Sequence, residues 1–226
     1  SSESYFWLNN TGSLLNQTIC GLFTGIPNYI MVPIAAKMVK KWGARATSII
    51  AGLFGFFAYM TLFFVGFHPF GQTFKDHYIF NLIWVIFGLT ICGLPNKILN
   101  VSGQIVTAEA LDYMEWKHGL RNEALVTTVQ GYFGKLATSV TGWLSGMVLT
   151  WINYVPLTDS LGNAVPQTDP TMLNGIWAVF CILPALARGL YGVSFIIYPI
   201  HGDLQQQMII AVSYTHLRAH ETRHDL

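Results

Sequence analysis

SLLNQTICGLFTGIPNYIMVPIAA (residues 13–36), KMVKKWGAR (37–45) and ATSIIAGLFGFFAYMTLFFVGFH (46–68) follow one another without a break. The first and third stretches contain no Asp, Glu, Lys or Arg, and the middle one carries Lys37, Lys40, Lys41 and Arg45. A helix needs about 20 residues to cross the hydrocarbon core of a bilayer, so each apolar stretch is long enough. The reading is a span, a basic turn and a second span. Buried helices of soluble proteins rarely run this far without charge. No period-two alternation points to a β-barrel.

Outward from that pair the pattern repeats. Further apolar runs cover 78–108, 124–154 and 172–200, so the expected fold is an all-α membrane protein with about five transmembrane helices. Only 10% of residues are charged and 52% are hydrophobic, whereas soluble domains carry about 25% charged residues. The bilayer is the first expected partner. Nucleic acid is not, because no basic stripe is present. The chain starts at Ser1 without a basic n-region or cleavage site, which predicts a truncated start and no signal peptide.

Successive loops alternate sides. The basic turn, the mixed-charge stretch Glu109–Glu123 and the end of the fifth span share one side, holding Lys37, Lys40, Lys41, Arg45, Lys117 and Arg121. The opposite loops hold Lys75, and the polar, turn-rich stretch Pro156–Pro170 has no Lys or Arg. Short cytoplasmic loops carry the excess of Lys and Arg. The expected location is therefore a cell inner (plasma) membrane, multi-pass, with the C-terminus cytoplasmic.

Within the spans, Gly21 with Gly25 and Gly142 with Gly146 have the spacing that lets helices pack closely. Pro27, Pro33, Pro95 and Pro184 predict kinks. Cys20, Cys92 and Cys181 lie in apolar runs without metal-ligand spacing and read as packing residues. Phe54, Phe56, Phe57, Phe63 and Phe64 read as lipid-facing bulk.

Lys97, Lys135 and Arg188 carry the sharpest functional signal. A Lys or Arg near a helix centre costs roughly 2.5–3.5 kcal/mol on insertion scales, so it needs a partner or a wet cavity. Lys135 falls near the middle of its span. Thr127, Thr128 and Gln130 lie one to two turns before it and offer hydroxyl and amide bonds to a polar solute. Lys97 adjoins Asn100 and Gln104 on one helix face and predicts a second wet surface. For Arg188, snorkelling or a structural ion pair is as good a reading as a transport role. The carboxylates and His118 near residue 115 have no metal-ligand spacing, so no enzyme is expected.

The stretch AEALDYMEWKHGLRNE (108–123) resembles the loop between the tenth and eleventh helices of the glycoside–pentoside–hexuronide:cation symporters, within the major facilitator superfamily. Val129-Gln130 with Lys135 is similar to that family's eleventh helix, and the likeness runs from about Ser13 to Gln207. The resemblance implies helices eight to twelve of a twelve-helix transporter, a C-terminal-half fragment whose N-terminal helical bundle is missing. It implies that Lys135 and Gln130 line a sugar cavity, to which Thr127, Thr128, Asn100 and Lys97 are added here. It implies that Asp112, Glu115 and Arg121 form a cytoplasmic gate, with Tyr113 and Glu123 beside them. Asn100 stands where the family's melibiose permease has a cavity tryptophan. The coupling cation, Na+ or H+, binds in the family's amino-terminal half, so the parent is expected to use one although its site is absent here. No other cofactor is expected.

After Ala211 the composition changes abruptly. Residues 212–226 resemble a peptide translated from sequencing-adapter read-through, so His216, His220 and His224 are set aside as an artefactual tail. The expected function is sugar:cation symport by alternating access. The alternatives are a transporter of lipids or amphipathic solutes, and a non-transporting membrane subunit or inactive fragment.

Overall fold

The computed structural model describes residues 2–65, 77–158, 160, 164–166, 168–202, 204–208 and 210–211. Lys75 and the 212–226 tail lie outside the described residues. Five helices dominate in chain order: α1 (Ser2–Thr11), α2 (Leu15–Val65), α3 (Tyr78–His118), α4 (Glu123–Trp151) and α5 (Pro170–Ser194). Three of them, α2, α3 and α5, are long and apolar enough to cross a membrane, and the chain is an all-α membrane protein.

α2 is two helical limbs that meet at Gly43, whose φ of 79° and ψ of 161° are not helical. A left-handed φ is readily available only to glycine, so the break falls there and not at the nearby lysines. The expected span 13–36 lies on the first limb, whose helix continues through the basic stretch as far as Trp42. The expected span 46–68 lies on the second limb as far as Val65, where the described helix ends. Pro27, Pro33 and Pro95 are accommodated inside helices.

α3 runs 41 residues, about 60 Å at 1.5 Å per residue, twice the hydrocarbon thickness. Its last turns therefore project into water, and the stretch expected as a loop from Glu109 is helix as far as His118. Gly119 closes it in a left-handed C-cap (φ 68°), its N–H donating to Glu115 O at 2.8 Å. The connection is then short, because Asn122 caps α4 by accepting from Leu125 N at 2.9 Å. Within the stretch expected to be turn-rich, two short antiparallel strands, β1 (Leu157–Thr158) and β2 (Ala164–Val165), form a hairpin. Asp169 then caps α5 by accepting from Thr171 N at 2.8 Å, with Pro170 in the first turn.

α2 packs against α3 and α5, and α1 docks on α5. The main core joins Phe6 and Trp7 of α1 to Cys20, Leu62, Val85, Cys92, Trp177 and Phe180. Phe6 stacks on Phe180 with ring centroids 4.4 Å apart. α1 precedes the first expected span as a separate helix, and its aromatics fill this core. A close backbone approach joins Gly52 and Gly192: a Cβ on Gly52 would lie 2.5 Å from the Gly192 Cα. At the expected pairs Gly21/Gly25 and Gly142/Gly146, an added Cβ would meet nothing within 4 Å, so they mark no close packing. Phe54, Phe57 and Phe64 face outward as expected, whereas Phe56 lies against Gly189 and Phe63 packs on the core.

Candidate functional site

α4 is unlike its neighbours because none of its residues is buried. At 100° per residue its composition divides by face. Thr127, Gln130, Gly131, Gly134, Lys135, Thr138, Thr141, Gly142 and Ser145 fall on one side. Leu125, Val129, Tyr132, Phe133, Leu136, Val140 and Trp143 fall on the other and are all exposed. The C-terminal part of the polar and small side faces a cavity. Ala137, Thr138, Thr141, Ser145 and Leu149 line a cavity of about 620 Å³ whose other walls include Tyr5, Ile176 and Val179. The hydroxyls of Thr138, Thr141 and Ser145 each donate to the carbonyl four residues earlier at 2.8–2.9 Å. Their oxygens keep acceptor capacity for a solute.

Lys135 is exposed on this stripe, one turn before Thr138, and it is not among the residues that line the cavity; nor are Thr127, Thr128 and Gln130. Among the described residues its ammonium has no ion pair and no hydrogen bond. Gln130 Nε2 donates to Thr107 Oγ1 of α3 at 2.8 Å, and Thr107 in turn donates to Gly103 O at 2.9 Å. Thr127 donates to Glu123 O at 2.8 Å, and Thr128 is exposed. Lys97 and Asn100 sit on α3, away from this cavity lining. The Lys97 ammonium lies 4.9 Å from the Tyr29 ring centroid of α2, a cation–π contact, and Asn100 is exposed. Gln130, Thr127, Thr128 and Lys135 thus share one helix, while Lys97 and Asn100 form a separate locus. The hydroxyl row at 138, 141 and 145 escapes a sequence reading because each residue alone is a common helix-tolerated polar group. Its signal is the recurrence every three to four positions.

Arg188 has no carboxylate partner among the described residues. Its guanidinium lies 4.9 Å from the Tyr59 ring, donates to Pro184 O at 3.4 Å and occupies the space left by Gly55. It is wedged between helices and does not face the cavity.

At the end of the molecule that carries the basic turn, the expected gate residues converge. Arg121 Nη1 lies 3.0 Å from Asp112 and 3.2 Å from Glu115, and its Nε lies 3.1 Å from Glu123. Bonding to Glu123 and then to Glu115 raises the pKa of the guanidinium above its already high ordinary value. Tyr113 is outside this hub and instead accepts from Lys117 Nζ at 3.0 Å. The hub joins the projecting end of α3 to the first turn of α4. With the Gln130–Thr107 bond, it is the polar tie between these two otherwise lightly touching helices. No group of His, Cys, Asp and Glu suited to a metal ion occurs among the described residues.

The family model described as MFS/sugar transport protein matches residues 3–202. The uncharacterized symporter YjmB of Bacillus subtilis is 29% identical over 95% of this chain and 42% of its own length. A putative sulfoquinovose importer of Escherichia coli is 35% identical over 37% of the chain and 18% of its own length. The isoprimeverose transporter of Lactiplantibacillus pentosus is 25% identical over 51% and 23%. The chain spans less than half the length of these curated relatives. No solved structure matches.

Proposed function

The chain belongs to the MFS/sugar transport protein family, and on that footing we propose that it forms most of the C-terminal bundle of a sugar:cation symporter. The whole transporter lies in an inner (plasma) membrane with the C-terminus of this bundle in the cytoplasm. It moves a glycoside or related sugar by alternating access, the two bundles rocking about a midplane site. It makes and breaks no covalent bond. The Na+ or H+ that drives it binds in the other bundle.

The observation that carries this reading is Lys135: a lysine with no counter-charge among the described residues, on the one polar stripe of a helix whose opposite face is apolar. A cation at that depth needs polar surroundings, and a polyhydroxyl solute in the cavity supplies them. Gln130, Thr127 and Thr128 flank it along the same helix, and Asn100 and Lys97 offer polar groups from α3. The sulfoquinovose and isoprimeverose in the relatives' names support a sugar. The Arg121 hub is the inner gate. Exposed ion pairs contribute only about 0.2–1 kcal/mol each, so the energy of solute binding is enough to open them.

The apolar part of the cavity wall, Leu149, Ile176 and Val179, favours a second reading in which the cargo is amphipathic. The test is uptake by the full-length transporter containing this chain, in cells lacking their own carrier. A labelled glycoside should accumulate and be lost when the cation gradient is collapsed. Lys135→Ala should lower accumulation about tenfold at unchanged protein level, equivalent to ~1.4 kcal/mol. Full uptake by Lys135→Ala removes the cavity assignment. Uptake of amphipathic but not sugar probes favours the second reading, and uptake of neither favours a non-transporting subunit.

A further inference from the structure

Beyond α5 the described residues stay packed on the bundle. Phe195 and Ile200 are buried, and residues 204–208 are helical with Met208 fully buried. Two side chains from two other helices hold this segment, and their grips interleave along it. Arg45, just past the Gly43 break, donates from Nε to Phe195 O at 3.1 Å and from Nη2 to Ile196 O at 2.6 Å. Its Nη1 lies 2.6 Å from His201 Nε2. Glu109 of α3 accepts from Tyr198 Oη at 2.7 Å and from Gln205 Nε2 at 2.6 Å, one carboxylate oxygen for each. In chain order the grips read Arg45 at 195 and 196, Glu109 at 198, Arg45 at 201 and Glu109 at 205.

Each grip has a physical reason. Arg45 meets the Ile196 carbonyl at the end of α5 and adds a second donor to the Phe195 carbonyl, which also accepts from Tyr198 N at 3.2 Å; its charge opposes the negative end of the helix dipole. Glu109 is only 7% exposed, and a buried carboxylate is retained at low cost only when its oxygens accept hydrogen bonds. Tyr198 and Gln205 provide them.

Glu109 lies one turn before Asp112 on the same helix, and Asp112 is part of the Arg121 hub. We propose that residues 195–202 and 204–208 form a strap that fixes the projecting end of α3, and that Glu109 is the positioning residue through which the strap sets the geometry of the Arg121 hub. The strap binds α2, α3 and α5 into one body. The hub is then the only charged joint, among the described residues, between that body and α4. With the strap in place, Asp112 and Glu115 return to the same position at each closure, so the gate re-forms quickly. Without it, the end of α3 wanders and closure slows, while solute binding deeper in the bundle is unaffected.

This inference rests on the reading of the Arg121 hub as a gate. The experiment compares wild type, Arg121→Ala, Glu109→Ala and Gln205→Ala in the full-length transporter, each normalised to protein in the membrane. Glu109→Ala should lower the maximal uptake rate about fivefold or more with KM within about twofold, since only the conformational step is slowed. Gln205→Ala should show the same pattern at smaller amplitude. A Glu109→Cys/Gln205→Cys pair bridged by a short bis-maleimide should regain most of the lost rate, which a general folding defect would not. If Glu109→Ala fails to reach the membrane, Gln205→Ala and the bridged pair carry the test. A normal maximal rate in Gln205→Ala and Glu109→Ala beside an altered Arg121→Ala overturns the strap alone, as does a bridged pair no faster than the unbridged one. Unchanged uptake in Arg121→Ala overturns the gate reading, and the strap's role with it.

Discussion

α5 and α4 are adjacent in sequence and of similar length, yet they are built on opposite plans. α5 buries Leu173, Ile176, Trp177, Val179, Phe180, Cys181, Ala185 and Gly192. It touches α2 backbone to backbone at Gly52. α4 buries nothing and lines a cavity with a row of hydroxyls and glycines. On the proposed reading, the contrast separates scaffold from working surface. In a bilayer, helices associate by close van der Waals packing because lipid tails are as apolar as leucine. Glycine contacts therefore hold α2 to α5. A helix that must present polar groups to a solute and move relative to its neighbours cannot use the same contacts. α4 is tied instead by a few polar bonds that can be broken and remade.

The most severe test of this contrast puts the same side chain on both plans. Gly52→Leu drives a side chain into the Gly192 backbone, which has no flexible end to yield, and should cost about 3 kcal/mol or more. Thermal unfolding in detergent should show a large fall in Tm or no folded protein. Gly142→Leu, with open space around it, should leave Tm nearly unchanged and reduce transport instead. Equal destabilisation by the two would erase the distinction.

A smaller effect is expected at the gate. Arg121→Ala removes three exposed ion pairs at once, for a total of about 1.4 kcal/mol or tenfold in population. A cysteine at Thr128 should then react faster with a membrane-impermeant maleimide from the cytoplasmic face. Unchanged labelling would mean that the hub does not control access. The smallest effect belongs to Gln130→Ala, which loses one interhelical hydrogen bond, worth about 0.6 kcal/mol in membrane proteins. Tm should drop slightly. In a double-mutant cycle with Thr107→Val, which also removes the bond to Gly103 O, the coupling energy between the two sites should equal this one interhelical bond.

Much of this was legible in the sequence, but unevenly. Arg121, Asp112, Glu115 and Glu123 lie close together in the chain, so a helix end and a short turn suffice to gather them. Tyr113, in the same stretch, pairs with Lys117 because one residue along a helix rotates a side chain by about 100°. Lys135 and Gln130 were readable as polar intrusions in an apolar run. Their separation from Lys97 and Asn100 was not, because those residues belong to a different helix whose rotation is set by packing. α1 is too short for a span, and its role is visible only where Phe6 meets Phe180.

Residence in a membrane, the approximate course of the helices, the turns near Gly43 and Gly119, and the positions of the intramembrane cations all follow from the order of residues alone. They rest on local sums of hydropathy and on backbone conformations that only glycine readily adopts. Other features exist only in the folded chain: Gly52 meets Gly192, Gln130 reaches Thr107, and Arg45 and Glu109 hold the segment beyond α5. The period of a helix shows which residues share a face but not what that face meets. That depends on the rotation and depth of every helix together, and packing sets those jointly.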